Sequence, residues 1–595
     1  MQHPPALSDE QLEALVANIT DWQLTHGSIL KFFNADEEDT VLAIPPGTTL
    51  FPTLFPGELF NEALELQETY NKLYAAVAED EEWLYHVLQT LIDVDPLTRA
   101  LWDIHQEVKK EGYCEEPTLG IFRSDYMLHQ NHVELSEDPN FRLKQVECNT
   151  ISVAGAVHNN KISDMHHHLQ RIGAYIPQPT TSPMLDLHWE MPQNHAPKTL
   201  TRGLISAHQA YGQPKNTDAK ETCILFIVQP RNFNIADERP LEYSLWEHSI
   251  PAYRVEFAEE VLTQTYLGPS RELLYHPPSR PACLGPLEVS AVYFRAGFEA
   301  EEYTTLGYQA RLRLEKSCAI KCPSILSHLT TFKKVQQALA VPGALDHFLS
   351  PEEAANILKT FAPIYPMDDS VSGLLARKLA TDTKTAKNHV LKPSLEGGGH
   401  NIYGEDIPKF LANTPMERWE TYILMEKITS PVLHNFLISS RGLYEGPVIS
   451  ELGIFGVCLW KHGKDEQGKV QMIEQLDPSW SFKTKSAGVN EMSVSLAISE
   501  LARLQASPSS GPASQGGRNA FEGFKTKRIY ALADKSRAFD CFPIHPTILK
   551  LNDYFLQLNY LMTSFHTVDI GPGAREQEMH TDDGLITLPR PRPLM

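Results

Sequence analysis

Apolar positions change their spacing along this chain, and those changes mark out its elements. After Ser8 they recur at helical spacing until Gly27, and Ser8 with Gln11 forms a capping box at the start of the run. Asp95 followed by Pro96 is an N-cap with proline at the first helical position, and Gly112 stands where a helix-ending glycine belongs. Continuous apolar runs at residues 223–228, 289–294, 389–391, 422–425 and 448–459 predict strands. Helical patterns alternate with them, for instance one helix over 324–340 ahead of Pro342. The alternation predicts a mixed α/β fold. Residues 506–517, rich in Ser, Pro and Gly, cannot bury a core and read as a flexible linker.

The stretch from Leu391 to Tyr403 carries the most chemistry. It places Lys392, Glu396 and the triplet Gly397, Gly398 and Gly399 in one short turn after an apolar run. Glycine has no Cβ and reaches backbone angles closed to other residues, so such a triplet can lay its N–H groups against a phosphate. Lys392 can add positive charge there, and Glu396 an oxygen ligand for the Mg²⁺ that accompanies a nucleotide. The spacing matches neither a P-loop nor a dinucleotide fingerprint. From spacing alone a phosphate loop and a flexible surface turn both stand.

The residues Lys392-Pro393, Glu396 through Gly399, Asn401 and Tyr403 resemble the glycine-rich ATP loop of the eukaryotic glutathione synthetase family. Further segments resemble that family in the same order. They are residues 122–127 (Phe-Arg-Ser-Asp-Tyr-Met), 145–152, 292–295, 333–337, 424–428 and 450–457. The resemblance implies an ATP-grasp fold with an inserted α/β substrate-binding domain. It divides the chain into a helical region with part of the core (1–204), a substrate-binding domain (205–330), a nucleotide-binding region (331–497), a linker (498–519) and a tail (520–595). It also implies an ATP-dependent C–N ligase that joins γ-glutamylcysteine to glycine through an acyl phosphate, with Mg²⁺ as cofactor, in a cytoplasmic homodimer.

Carried over residue by residue, the resemblance gives Arg123, Lys392 and Lys485 catalytic roles. Glu147, Asn149 and Glu396 would hold Mg²⁺. ATP would meet Glu147, Lys333, Lys392, Glu396, the three glycines, Asn401, Tyr403, Met425, Glu426, Lys427, Ile428, Glu451, Lys485 and Glu491. The peptide substrate would meet Arg123, Ser152, Asn234, Arg295, Lys483 and Val494. Departures from the family gather in the substrate pocket and lid. They are Ala154, Asn232-Phe233-Asn234, Glu238, Phe298, Lys483-Thr484-Lys485, and the run 492–497, where the family has a glycine- and alanine-rich loop. Lysine in place of arginine keeps charge but loses the planar two-pronged grip, and fewer glycines stiffen a lid. A second reading is therefore an impaired ATP-binding paralogue, or a ligase for another amine acceptor.

The tail resembles a different family. Residues 570–573 and 578–583 are similar to phytanoyl-CoA dioxygenases, a partial jelly-roll-like fragment. His580 and Asp582 match two ligands of an Fe(II) facial triad. The chain as given stops before a second histidine, so the fragment is expected to be inert and an oxygenase reading is disfavoured.

Composition narrows the partners. The 595 residues carry a net charge of −23, which repels nucleic acid and anionic membrane surfaces at long range. Eight cysteines are spread without CxxC spacing, as expected of free thiols in a reducing compartment. His166, His167 and His168 point in different directions on a helix, so a solvated face is expected there rather than a metal site.

Overall fold

The computed structural model describes residues 4–33, 41–114, 117–130, 141–177, 189–394, 401–439, 442–465, 468–487 and two strands in the tail. The chain divides into two units, one of residues 1–32 and 42–488, the other of 33–41 and 489–595. In the second unit the described residues are Phe33, Val41 and an antiparallel pair, Thr526–Tyr530 with His566–Ile570. The residues that suggested a dioxygenase, His580 and Asp582, lie outside the described residues.

Each run predicted to be a strand lies within one, and the whole is mixed α/β. The capping box closes: the Gln11 backbone N–H donates to Ser8 Oγ at 3.2 Å, and the Ser8 N–H to Gln11 Oε1 at 3.3 Å. Asp95 caps Pro96–Glu111 by accepting from the Thr98 N–H at 2.7 Å, and Gly112 ends that helix at φ +80°. One expectation is corrected. Residues 324–340 form two short helices, Ile325–Leu329 and Lys333–Leu339. Thr330 breaks the ladder by donating its hydroxyl to the Ser327 carbonyl at 2.7 Å, and Phe332 adopts an extended conformation ahead of the second helix.

A seven-stranded antiparallel sheet forms the centre of the first unit. Its long strand Gly442–Lys464 pairs with Leu433–Ser439, Pro117–Gln130, Val470–Gln475 and Ser479–Ser486, and Phe141–Asn149 lies beyond Pro117–Gln130. The two faces of Pro117–Gln130 feed different cores, as strand alternation demands. Phe122 and Tyr126 pack with Tyr70 and Tyr74 of helix Gly57–Ala78. Leu119 and Ile121 pack with Leu200 and Leu204 of helix Ala196–Tyr211. That second helix also covers a six-stranded sheet whose strands Ala252–Glu256, Thr222–Val228, Leu287–Phe294 and Ile320–Cys322 run parallel. The unit also contains a four-stranded antiparallel sheet, ordered Ile364–Pro366, Tyr422–Glu426, His389–Pro393 and Ile402–Tyr403.

The histidine triplet lies on helix Ala156–Arg171 and is not uniformly solvated. His166 is buried and its Nδ1 meets Tyr175 Oη at 2.7 Å, while His168 stacks on Trp22. Among the described residues no helix is long and apolar enough to cross a membrane.

Candidate functional site

Charge appears on the central sheet where one of its apolar faces runs out. Leu119 and Ile121 are followed on the same side of their strand by Arg123 and Asp125. Cross-strand register then assembles a row. Asp125 faces Glu147 on one side and Gly453 on the other, Arg123 faces Asn149, Gly453 faces Ser481, and Glu451 faces Lys483. Four strands thus present Arg123, Asp125, Glu147, Asn149, Glu451 and Lys483 on one surface.

Asp125, fully buried, organises it. Both its oxygens accept from Arg123, from Nε and Nη2 at 2.7 Å each. It also accepts from Asn149 Nδ2 at 3.2 Å and from Lys483 Nζ at 3.1 Å. Burial alone would raise the Asp125 carboxyl, but Arg123 and Lys483 outweigh it and hold the carboxyl below the usual carboxylate range. Gly453 makes the arrangement possible. A Cβ there would lie 2.5 Å from Ser481 Oγ, 2.8 Å from Asp125 Oδ1 and 3.0 Å from Arg123 Cδ. Asp125 and Gly453 were not singled out from the sequence. The Arg-x-Asp alternation within residues 122–127 and a glycine inside a strand were the available signals.

Glu147 collects the cations expected around phosphates. Lys333 Nζ stands 3.6 Å from its Oε2, and Lys392 Nζ reaches across from the four-stranded sheet to donate to the Val146 carbonyl at 2.9 Å. Burial disfavours the Glu147 carboxylate, yet Lys333, Lys392, Lys483 and Arg123 hold its carboxyl down to about 2. Asn149 Nδ2 donates to Glu147 Oε1 at 3.4 Å. Lys483 is opposed by burial and by Arg123, but Asp125 and Glu451 keep its ammonium above the ordinary range. Lys485 lies two residues further along the same strand, facing Ile449.

The predicted nucleotide residues surround the four-stranded sheet. Met425 is buried between Ile364 and Val390 on the neighbouring strands. Glu426 closes that strand, the Lys427 N–H donates to the Asn388 carbonyl at 2.8 Å, and Ile428 packs against the Ile364–Met425 cluster. Tyr403 faces Val390, and Asn401 precedes its strand. Glu396, Gly397, Gly398, Gly399, Glu491 and Val494 lie outside the described residues.

Both arginines expected to meet the peptide substrate hold one loop. The loop between Phe141–Asn149 and helix Ala156–Arg171 passes through Ser152 at φ +52°, a left-handed backbone uncommon for serine. Arg123 Nη1 donates to the Ala154 carbonyl at 2.9 Å, and Arg295 Nη1 to the Val153 carbonyl. Arg295 Nε donates to Glu238 Oε1 at 3.2 Å, while Asn232 Nδ2 donates to Glu238 Oε2 at 2.5 Å. Asn234 Oδ1 meets His158 Nε2 at 3.2 Å. Buried Asp237 anchors the loop's far end, accepting from the N–H groups of Gly155 and Val157 at 2.8 Å each. Asp237 was missed because no local pattern links it to a helix some eighty residues earlier.

The family description "Eukaryotic glutathione synthase, ATP binding domain" matches residues 9–504. The chain is 33% identical to the glutathione synthetase large chain of Schizosaccharomyces pombe, with 84% of this chain and 98% of that protein covered. It is 32% identical to glutathione synthetase of Dictyostelium discoideum, covering 82% and 97%, and 34% identical to that of Homo sapiens, covering 75% and 88%. A solved apo structure of a glutathione synthetase-like effector from Globodera pallida shares the fold, with a TM-score of 0.60 at 21% identity over 82% of this chain and 96% of that one.

Proposed function

The chain belongs to the eukaryotic glutathione synthetase family and is an ATP-dependent ligase, and from that premise we propose how its residues carry the reaction. ATP phosphorylates the cysteinyl carboxylate of γ-glutamylcysteine, and the amine of glycine displaces phosphate from the acyl phosphate to give glutathione. Phosphoryl transfer asks a protein for positioning and charge neutralisation more than for covalent help. Lys333, Lys392 and Lys485 fit the phosphates, and Met425–Ile428 fit the adenine. Arg123 and Arg295 fit the carboxylates of the dipeptide, for which a planar guanidinium is suited.

Glu147 and Asn149 fit Mg²⁺. Their side-chain oxygens share one face of a strand, and a carboxyl held down to about 2 stays anionic at any working pH. Glu396 is the third proposed ligand. When bound, the ion neutralises phosphate charge. The ATP-grasp topology, a homodimer and a cytoplasmic location complete the proposal, and light scattering of the full chain tests the dimer.

The observation that carries this reading is the convergence of Arg123, Glu147, Lys333 and Lys392 from different elements onto one surface. The test is ADP release in a coupled assay. Turnover that requires both γ-glutamylcysteine and glycine is expected, and ADP release indifferent to either would overturn the reading. One observation favours the second reading, in which the chain binds ATP but its ligation is impaired or uses a different amine acceptor. Glu238 stands against Arg295, so the guanidinium meets a fixed carboxylate before any substrate arrives. Running the assay over a panel of dipeptides and amines separates the two.

A further inference from the structure

Two thiols distant in sequence lie on adjoining segments away from the ligase surface. Cys114 follows helix Pro96–Glu111 and Cys318 follows helix Thr305–Lys316, and both are partly exposed. Three ties hold their segments together. Lys316 Nζ pairs with Glu111 Oε1 at 2.6 Å. Arg271 donates from Nη1 to the Gly112 carbonyl at 2.7 Å and accepts at its own carbonyl from the Cys318 N–H at 2.9 Å. The Cys318 thiol lies 3.2 Å from the Ser270 carbonyl. The other described cysteines are placed differently: Cys148, Cys223, Cys322 and Cys458 are buried in cores, and Cys283 is exposed.

We propose that Cys114 and Cys318 are a reversible disulfide site, a clasp between the ends of two helices that opens and closes with the thiol–disulfide balance around the protein. Burial, and then the neighbouring Cys114 thiol, raise the Cys318 thiol above its ordinary range, so Cys318 acts second. The Cys114 thiolate attacks one sulfur of a small-molecule disulfide, forms a mixed disulfide and expels one thiolate. Cys318 then yields its proton to solvent, attacks the Cys114 sulfur and expels the second thiolate. Two protein thiols are oxidised, and one external disulfide is reduced to two thiols. This proposal is independent of the ligase reading, because it needs neither ATP nor the proposed ATP-binding residues.

The test uses the full chain incubated with oxidised glutathione, then alkylated and digested with trypsin without reduction. The expected product joins the peptide of residues 111–123 to that of residues 317–321, and dithiothreitol separates them. Cys283→Ser gives the same cross-link, and Cys114→Ser abolishes it. The clasp closes a loop of roughly two hundred residues, so oxidised protein melts a few degrees higher than reduced protein, and the Cys114→Ser variant loses that rise. Separate glutathionyl adducts on Cys114 and Cys318 with no cross-link overturn the proposal. Full alkylation of both thiols while Cys283 takes up the oxidant does the same.

Discussion

Replacing Asp125 by asparagine tests the organisation of the charged surface most directly. The substitution preserves shape but removes the negative charge that faces Arg123, whose side chain is 11% exposed. It also replaces one accepting oxygen with an amino group directed at cations. Breaking a buried ion pair by removing one partner costs about 3–5 kcal/mol, because the remaining charge is left uncompensated. Arg123 keeps its bond to the Ala154 carbonyl, and Lys483 keeps Glu451, so the lower end, about 3 kcal/mol, is expected here. Urea titration of wild type and Asp125→Asn, followed by tryptophan fluorescence, reads that loss. The same variant lets Arg123 drift, and a misplacement of about 1 Å costs on the order of 100-fold in rate, so kcat/KM for the dipeptide falls by a comparable factor. In a double-mutant cycle with Lys483→Met the two losses do not add, since Asp125 and Lys483 are partners in one ion pair. A variant within 1 kcal/mol of wild type and fully active would refute the reasoning.

Other outcomes follow from single residues. Gly453→Ala places a methyl among Ser481, Asp125 and Arg123, and overpacking of this kind costs about 1–3 kcal/mol; an unchanged urea midpoint and unchanged kcat would show that the pocket has slack. Glu238→Gln releases Arg295 from a fixed charge and lowers KM for γ-glutamylcysteine several-fold, so a raised KM would mean that Glu238 orients the guanidinium instead. Glu147→Gln removes Mg²⁺-dependent nucleotide binding in calorimetry, and retained binding would locate the ion elsewhere. Burial, then His167, hold the His166 imidazole down to about 3. The unfolded chain takes up that proton near pH 6.5 and the folded chain does not, so stability is complete above about 6.5 and falls by about 1.4 kcal/mol per unit below it, down to about 3. His166→Gln flattens that slope in urea midpoints taken at pH 7.5 and 5.5, and an identical slope in both proteins would sink the assignment.

Strands and caps were legible because their signals are local. An apolar run of the right length, or Ser8 with Gln11, decides its own structure with little help. The break at Thr330 was not legible, since a hydroxyl competing for a helix carbonyl leaves the apolar periodicity of 324–340 intact. At the site, Glu147, Asn149, Arg123 and Lys392 could be named from a family pattern, but their relations could not. That Arg123 is held by its own neighbour Asp125, and that Lys483 bridges Asp125 and Glu451, depends on strand order and register across three strands. His166 was misjudged for the same reason: its burial comes from Tyr175, nine residues away and beyond the end of its own helix.

The loop at Val153 and Ala154 carries a last consequence. Its two peptide oxygens accept from the same guanidinium groups that are proposed for an incoming carboxylate, so a guest at those groups has internal acceptors to displace. Selectivity then begins as a contest between an internal acceptor and an external one. On the proposed roles, a guest presenting a single carboxylate relieves one arginine and leaves the other tethered, and a molecule with two anionic ends at the correct separation displaces both tethers together.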